Sequence, residues 1–138
     1  TIDIVATDHA PHPSEHKACE WQAAANGMVG LESALRVVHQ SMVQTGLIGW
    51  EDVARVMSAT PARIGRLAGH GTPLEVGQPA QITLYDAAVD GVFTEADLNG
   101  RSVNSPYLGR ALPGRVQYTI HGGVLTVDGG SVVQELGA

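Results

Sequence analysis

Residues 1–12 read TIDIVATDHAPH, a short apolar run that ends on a carboxylate and two imidazoles. Residues 2–6 have the pattern of a strand buried on both faces of a parallel sheet. A carboxylate just past the carboxyl end of such a strand lies where α/β barrels place catalytic groups. Asp8 is therefore a candidate metal ligand, general base or both, whereas His9 and His12 need polar partners if they are buried.

A purely structural role for this segment is an open alternative. An aspartate after a strand is often an N-cap or turn residue, and a zinc site needs three or four ligands. The other histidines are scattered along the chain: His16, His39, His70 and His121. We expect surface or structural roles for these four, with His39 on the polar face of a helix, and a plain loop thiol at Cys19.

The composition limits the class of protein. Apolar residues make up 43% of the 138 residues and charged residues 16%, which is typical of one folded globular domain. The net charge is −6 and Lys17 is the sole lysine, which argues against a nucleic-acid partner. The single cysteine excludes an intrachain disulfide. A single cysteine fits a reducing compartment, so we expect a cytoplasmic protein. No stretch has the roughly 20 apolar residues that span a bilayer, so we expect no membrane partner.

The first half of the chain has a helical texture after a long polar loop over residues 8–30. Apolar residues then recur at helical spacing: Leu31, Ala34, Leu35, Val38 and Met42. With Arg36 and His39 on the opposite side, this spacing predicts an amphipathic helix that ends near Gly46. Two further short helices are predicted, one over residues 51–58 and one from Thr60.

The second half of the chain has the texture of a small β unit. Alternating apolar and polar residues predict three strands: residues 81–85, 115–121 and 124–127. Gly122 and Gly123 predict a two-residue hairpin turn, and residues 128–130 predict another turn. One helical turn is expected over residues 94–98. We place the boundary between the two halves at residues 69–79.

Several segments together identify a resemblance. IVATDHAPH at residues 4–12 is followed by NGMVGLESAL at residues 26–35, at a matching spacing. The further segments are SATPARIGRL (58–67), PLEVGQPAQITLYD (73–86), NSPYLG (104–109) and VQYTIHGGVLTVDGG (116–130). They closely resemble the dihydroorotases of the long bacterial type, within the metal-dependent amidohydrolases, and they cover almost all of the chain.

The resemblance implies an α/β fold of two incomplete parts. Residues 1–70 would be the last strand and the helices of a (β/α)8 TIM barrel. Residues 71–138 would be the carboxyl-terminal part of a small composite β-sandwich domain. Because such a barrel needs about 250 residues, the chain is expected to supply one wall of an active site and to be inactive by itself.

The resemblance also implies roles for individual residues. Asp8 matches the aspartate that ligates the metal centre and carries the proton between the metal-held hydroxide and the ring nitrogen. His12 matches the histidine that contacts the carboxylate of the substrate. Asn26 and Gly27 match a dipeptide whose backbone contacts the substrate, although the family more often has proline or phenylalanine at the position of Asn26. His9 matches a residue that is not a metal ligand, and we expect it to be structural.

The implied activity is the reversible hydrolysis of the cyclic amide of L-dihydroorotate to N-carbamoyl-L-aspartate in pyrimidine (UMP) synthesis. One or two zinc ions are implied, with their remaining ligands outside this chain, and a homo-oligomer or an aspartate transcarbamoylase partner is possible. One alternative is another cyclic amidohydrolase, such as a hydantoinase or allantoinase. A second alternative is a catalytically silent subunit that acts as a scaffold.

Overall fold

Helices occupy the first half of the chain in the computed structural model, which describes residues 3–133. The α-helices are α1 (Ser14–Lys17), α2 (Leu31–Val38), α3 (Trp50–Ala54) and α4 (Thr60–Gly65). A π-helical turn extends α2 (His39–Val43) and a second one joins α3 to α4 (Arg55–Ala59). The predicted helices are thereby confirmed, the second and third as one continuous helical stretch.

A four-stranded antiparallel sheet occupies the second half, in the order β1-β2-β3-β4. The strands are β1 (Ile82–Val92), β2 (Ala111–His121), β3 (Val124–Asp128) and β4 (Ser131–Val132). The predicted turns after His121 and after Asp128 are confirmed, because both connect antiparallel neighbours. The predicted helical turn is a 3-10 turn, Glu95–Asp97. No helix within residues 3–133 is both long and apolar enough to cross a membrane.

The most deeply buried apolar side chains of the described residues lie between α2 and the first two strands. Phe93 and Leu112 are each 1% exposed there. Arg36 is buried in the same interface, where its Nη2 donates to the carbonyl oxygens of Gly91 at 2.8 Å and Leu112 at 2.6 Å. Its guanidinium also lies 3.8 Å from the carboxylate of Asp97 and 5.8 Å from the centroid of the Phe93 ring. One cation therefore joins the helix to both strands, with charge-assisted hydrogen bonds to two backbone carbonyls.

The strand predicted over residues 2–6 stays a prediction, because the parallel neighbours that it needs are expected to lie outside this chain; Ile2 lies outside the described residues. Residues 3–8 have no sheet partner within the described chain. A strand needs a neighbour for its backbone groups, and here the Val5 N–H donates instead to the carbonyl of Val56 in the second π-helical turn, at 3.0 Å. The segment therefore lies against the helices as an extended chain.

The predicted exposure of the polar face of α2 is wrong for Arg36 and His39. His39 is 5% exposed and Arg36 is 9% exposed, whereas Leu31, predicted to face inward, is 61% exposed. The sheet packs against the side that carries the arginine and the histidine, and the His39 ring lies 4.9 Å from the ring of Trp50. Helical spacing identifies two faces, but here the two backbone carbonyls that accept from Nη2 of Arg36 allow this charged side chain to be buried.

Tyr85 connects this helix to the sheet through its hydroxyl. The Tyr85 O–H donates to the carbonyl of Pro113 at 2.8 Å, and its oxygen accepts from Nδ1 of His39 at 3.1 Å. Burial raises the pKa of Tyr85 to about 12, against a smaller opposing effect of the nearby Arg36 charge. The phenol ring lies directly over Gly114, at φ 73°, where a Cβ would collide with it. Glycine at this position therefore permits the approach of the ring.

Candidate active site

The long loop over residues 8–30 is folded back on itself by a pair of short contacts. His9 and Met28 form an isolated parallel bridge, and the Ala10 N–H donates to the Met28 carbonyl at 2.8 Å. Between these two points the chain makes the short helix α1 and returns. The bridge brings the start and the end of the loop together, and with them the residues that the sequence singled out.

Asp8 stands at the sharpest bend of this segment. Its φ is 45°, in the left-handed region, and its side chain is exposed. Aspartate is among the few residues other than glycine that adopt this conformation readily, because its short polar side chain is tolerated there. The bend ends the extended segment and directs the following residues toward the loop. The carboxylate is thus presented at the surface of the described chain.

His9 has a structural role at the start of α2. Its Nδ1 accepts from the backbone N–H of Gly30 at 3.1 Å and of Leu31 at 3.4 Å. The first N–H groups of a helix have no partner within the helix, so the imidazole takes the place of a capping side chain. A ring whose Nδ1 accepts these bonds carries its proton on Nε2 when neutral.

His12 is held from both sides. Its ring Nε2 lies 2.8 Å from the carbonyl oxygen of Asn26, and its backbone N–H donates to Oδ1 of Asn104 at 3.1 Å. A carbonyl can only accept, so Nε2 carries the proton in this contact. Nδ1 is consequently the ring atom left for a ligand. An anion at Nδ1 would require a proton on both ring nitrogens, which makes the ring a cation.

Gly27 occupies a position that other residues cannot take without strain. Its φ is 116°, and a Cβ built there would lie 2.5 Å from the Cβ of Ala10 and 3.4 Å from Nε2 of His12. Its carbonyl oxygen accepts from Nζ of Lys17 at 3.1 Å and from Nδ2 of Asn104 at 3.3 Å. The missing side chain lets two parts of the loop touch, and the two donors fix the direction of the peptide.

A cleft of about 390 Å³ opens beside His12, between the loop and the segment that precedes β2. Lys17 and Arg101 line it together with Asn104, and none of the described residues that line it is a carboxylate. Lys17 also donates to the carbonyl of Ala25 at 2.6 Å. In a chain with a net charge of −6 this is a locally basic surface, and such a surface favours an anionic ligand.

The structure thus brings together three of the four residues that the sequence singled out. His12, Asn26 and Gly27 lie in direct contact. Asp8 is close to them in sequence, on the other side of the bend, and no hydrogen bond joins it to them within the described chain. Sequence reasoning missed Asn104 and the role of Lys17; Asn104 opens the segment NSPYLG, which contributed to the resemblance without indicating a role for this residue.

Asp8 was also expected to bind a metal. Among residues 3–133, no three or more His, Cys, Asp or Glu side chains are grouped so that they could hold a metal ion. An exposed carboxylate is a suitable single ligand for a divalent cation, but a zinc centre takes three or four ligands. The described residues therefore fit one ligand of such a centre and do not form it.

Comparison with curated proteins shows the sequence relationship. The chain is 64% identical to a dihydroorotase of Leifsonia xyli over 137 residues and 58% identical to one of Streptomyces coelicolor over 130 residues. These matches cover 99% and 94% of this chain, but 31% and 30% of the relatives. A dihydroorotase of Mycobacterium tuberculosis is 49% identical over 131 residues. No protein-family model matches the chain.

Comparison with solved structures shows the fold relationship. An L-hydantoinase (dihydropyrimidinase) from Arthrobacter aurescens superposes with a TM-score of 0.80 at 28% identity, over 95% of this chain and 30% of that protein. A D-hydantoinase (dihydropyrimidinase) from Thermus sp. superposes with a TM-score of 0.81 at 24% identity, over 96% of this chain and 30% of that protein. The chain therefore has the mixed helix and sheet fold of part of a hydantoinase-type amidohydrolase.

The sequence narrows this class further. The chain corresponds to a carboxyl-terminal portion of the dihydroorotases, and it spans about 30% of the length of the curated relatives that it matches. The resemblance inferred from the motifs is thereby confirmed.

Proposed function

We propose that this chain supplies one wall of the active site of a dihydroorotase, which interconverts L-dihydroorotate and N-carbamoyl-L-aspartate in pyrimidine synthesis. The observation that carries the proposal is the contact between His12, Asn26 and Gly27 on the loop that follows Asp8. These residues stand in a sequence 64% identical to a dihydroorotase. The rest of the site would come from the part of the protein that these residues do not include.

The proposed role of Asp8 is to move a proton. Hydrolysis of a cyclic amide needs a base that takes a proton from the attacking water and delivers it to the departing ring nitrogen. An exposed carboxylate at the end of a bend is accessible to both. We assign Asp8 also as one ligand of a zinc centre, with the other ligands outside this chain. A bound zinc would supply Lewis acidity toward the amide carbonyl.

The proposed role of His12 is to bind the carboxylate of the substrate. Nε2 donates to Asn26, so Nδ1 would face the ligand, and the ring would bind it as a cation. The basic side chains of Lys17 and Arg101 line the same cleft and favour an anion there. The affinity for the substrate would then depend on charge, and it would weaken as ionic strength rises.

The proposed role of Gly27 is a backbone contact. Its carbonyl already accepts from Lys17 and Asn104, which leaves its N–H as the donor for a substrate oxygen. The carbonyl of Asn26 is likewise used by His12. The contact that the family resemblance implies for this dipeptide is therefore assigned to an N–H group.

The two halves of the chain would belong to different parts of the whole protein. We assign residues 1–70 to the end of a (β/α)8 barrel and residues 71–138 to a small composite β-domain. The extended backbone at residues 3–7 supports the proposed barrel strand. These residues would pair once their neighbouring strands are present. We place the enzyme in the cytoplasm, as a homo-oligomer or beside an aspartate transcarbamoylase.

The test is a comparison of substrates with the full-length purified protein. Turnover of L-dihydroorotate should exceed turnover of hydantoin and allantoin by several orders of magnitude, and the protein should contain zinc. Preferential turnover of hydantoin would favour the other cyclic amidohydrolases, to which the solved structures in the comparison belong. Absence of both turnover and metal would identify a silent scaffold. The isolated 138-residue chain should show no turnover.

A further inference from the structure

We propose that Asn104 is a positioning residue for the loop over residues 8–30, an inference that rests on the proposed function of that loop. Asn104 lies in the segment between the 3-10 turn and β2, far along the chain from the loop that it contacts. It touches none of the proposed reacting atoms. Its effect would be exerted through the backbone of His12 and Gly27.

The contacts of Asn104 use both ends of its side-chain amide. Oδ1 accepts from the backbone N–H of His12 at 3.1 Å. Nδ2 donates to the carbonyl oxygens of Ala10 at 3.0 Å and Gly27 at 3.3 Å. The backbone carbonyl of Asn104 accepts from the N–H of Val29 at 3.1 Å. One residue thus bonds to the first limb of the loop at two residues and to its last limb at two more.

This pattern needs the chemistry of an asparagine. A primary amide offers two N–H donors and a carbonyl acceptor in one plane, and each is used here by a backbone group of the opposite type. A carboxylate of the same shape could accept from His12 but could not donate to the two carbonyls. An apolar side chain would remove the partner of the His12 N–H and of the Ala10 carbonyl. It would leave the Gly27 carbonyl with Lys17 as its donor.

For the proposed site, the bonds to the carbonyls of Asn26 and Gly27 matter because they orient the two peptide units on either side of Gly27. A peptide unit is planar, so bonds to the Gly27 carbonyl orient the unit that follows Gly27, next to the unit that carries the Gly27 N–H. The carbonyl of that second unit, from Asn26, is bonded to the His12 ring. Asn104 and Lys17 both donate to the Gly27 carbonyl, while Asn104 also holds the backbone of His12. The residue therefore sets the separation between the His12 ring and the backbone of Gly27, the two groups proposed to bind the substrate.

The test uses the full-length protein with Asn104→Asp and Asn104→Ala, and Asn99→Ala as the matched control. Asn99 is an exposed asparagine of the same connecting segment, and its one described bond is from its backbone N–H to Glu32. Each hydrogen bond within the chain contributes about two- to tenfold to the equilibrium between the ordered and the open loop. Because both Asn104 variants lose more than one such bond, we expect about a tenfold or larger rise in KM. We expect kcat to fall by less than about threefold, because no reacting group is removed.

Amide hydrogen exchange without substrate provides a second readout that does not depend on activity. The amides of residues 10–29 should exchange at least about tenfold faster in Asn104→Asp, because a local opening equilibrium is shifted. Amides of β1 and β2 should exchange as in the unsubstituted protein, which also shows that the variant is folded. The Asn99→Ala variant should match the unsubstituted protein in both experiments.

The outcomes separate this inference from the proposed function. Unchanged exchange over residues 10–29 would overturn the role of Asn104, whether or not the enzyme turns over dihydroorotate. A fall in kcat of about tenfold with an unchanged KM would also overturn the positioning role. Faster exchange in a protein without dihydroorotase turnover would retain the positioning role of Asn104 and reject the activity.

Discussion

The loop over residues 8–30 and the sheet over residues 82–132 are stabilised in different ways. The sheet is held by backbone ladders between four adjacent strands, so each strand residue adds a small, similar contribution. The loop has one isolated bridge and scattered backbone hydrogen bonds, such as that from the Ala25 N–H to the His16 carbonyl at 3.0 Å. Its two limbs are further joined by side chains that bond to its backbone, chiefly His9, Lys17 and Asn104. Two of these three lie within the loop, whereas Asn104 comes from the other half of the chain.

This difference indicates where single substitutions should act. In the loop, a few side chains each fix several backbone groups, so their removal should change the site more than the global stability. In the sheet, only positions of close approach should be sensitive, and the contact of Tyr85 with Gly114 is such a position. The loop should therefore respond in kinetics and the sheet in unfolding.

The largest expected effect is that of Asp8→Ala in the full-length enzyme. Loss of the proposed proton carrier should lower kcat by about a thousandfold or more, within the range of general acid–base catalysis. Glu15→Ala is the control, because Glu15 is an exposed carboxylate on α1, outside the proposed barrel strand. Steady-state turnover of dihydroorotate measures both. Retained turnover in Asp8→Ala would reject the proposed role.

The second largest expected effect is a loss of stability caused by a substitution in the sheet. Gly114→Ala should destabilise the protein by about 3 kcal/mol or more, because the new Cβ meets the Tyr85 ring and φ is positive. Gly109→Ala is the control, since Gly109 has a similar φ of 78° with open space around it. Thermal unfolding should show a larger loss for the first variant. Equal losses would attribute the cost to the backbone alone.

A smaller effect is expected at His12 in the loop. His12→Ala should raise KM for dihydroorotate about tenfold, because a charge-assisted contact to the substrate carboxylate is lost. The change in kcat should be smaller than the change in KM. His16→Ala is a control within the same loop, at an exposed histidine. If kcat falls as far as it does in Asp8→Ala, the division of roles between the two residues is wrong.

The smallest effect concerns Tyr85 and alkaline pH. The pKa of Tyr85 is about 12 in the folded chain, against an ordinary tyrosine pKa of 10.0. Between these two values the folded state keeps a proton that the unfolded state loses. The contribution of this group is complete below pH 10 and is lost as pH rises from 10 to 12. Unfolding measured across this range should show a steeper decline for the unsubstituted protein than for Tyr85→Phe. Parallel curves would contradict the assignment.

Much of the fold could be predicted from local sequence. The hairpin at Gly122 and Gly123 and the amphipathic helix from Leu31 follow from turn chemistry and helical spacing, and both are present. Two predictions needed information from other parts of the chain. The strand over residues 2–6 has no partner among the described residues, and the burial of His39 depends on a sheet that begins at Ile82.

The candidate site was also predictable only in part, because some of its contacts come from a distant part of the chain. The sequence indicated His12, Asn26 and Gly27 through the resemblance, and the structure brings them into contact. Asn104 was not indicated, because its bonds join residues 92 and 94 positions apart. No local pattern distinguishes an asparagine that satisfies a distant backbone from one that faces solvent.

The π-helical turn His39–Val43 has a consequence for reading related sequences. Its hydrogen bond runs from the Gln44 N–H to the His39 carbonyl, one residue further than in an α-helix. Deleting one residue there would restore ordinary helix and rotate everything after it by about 100°. A gap aligned to this turn should thus mark homologues in which the residue at the position of Trp50 no longer lies against the imidazole, while Arg36 and His39, which precede the deleted residue, keep their places.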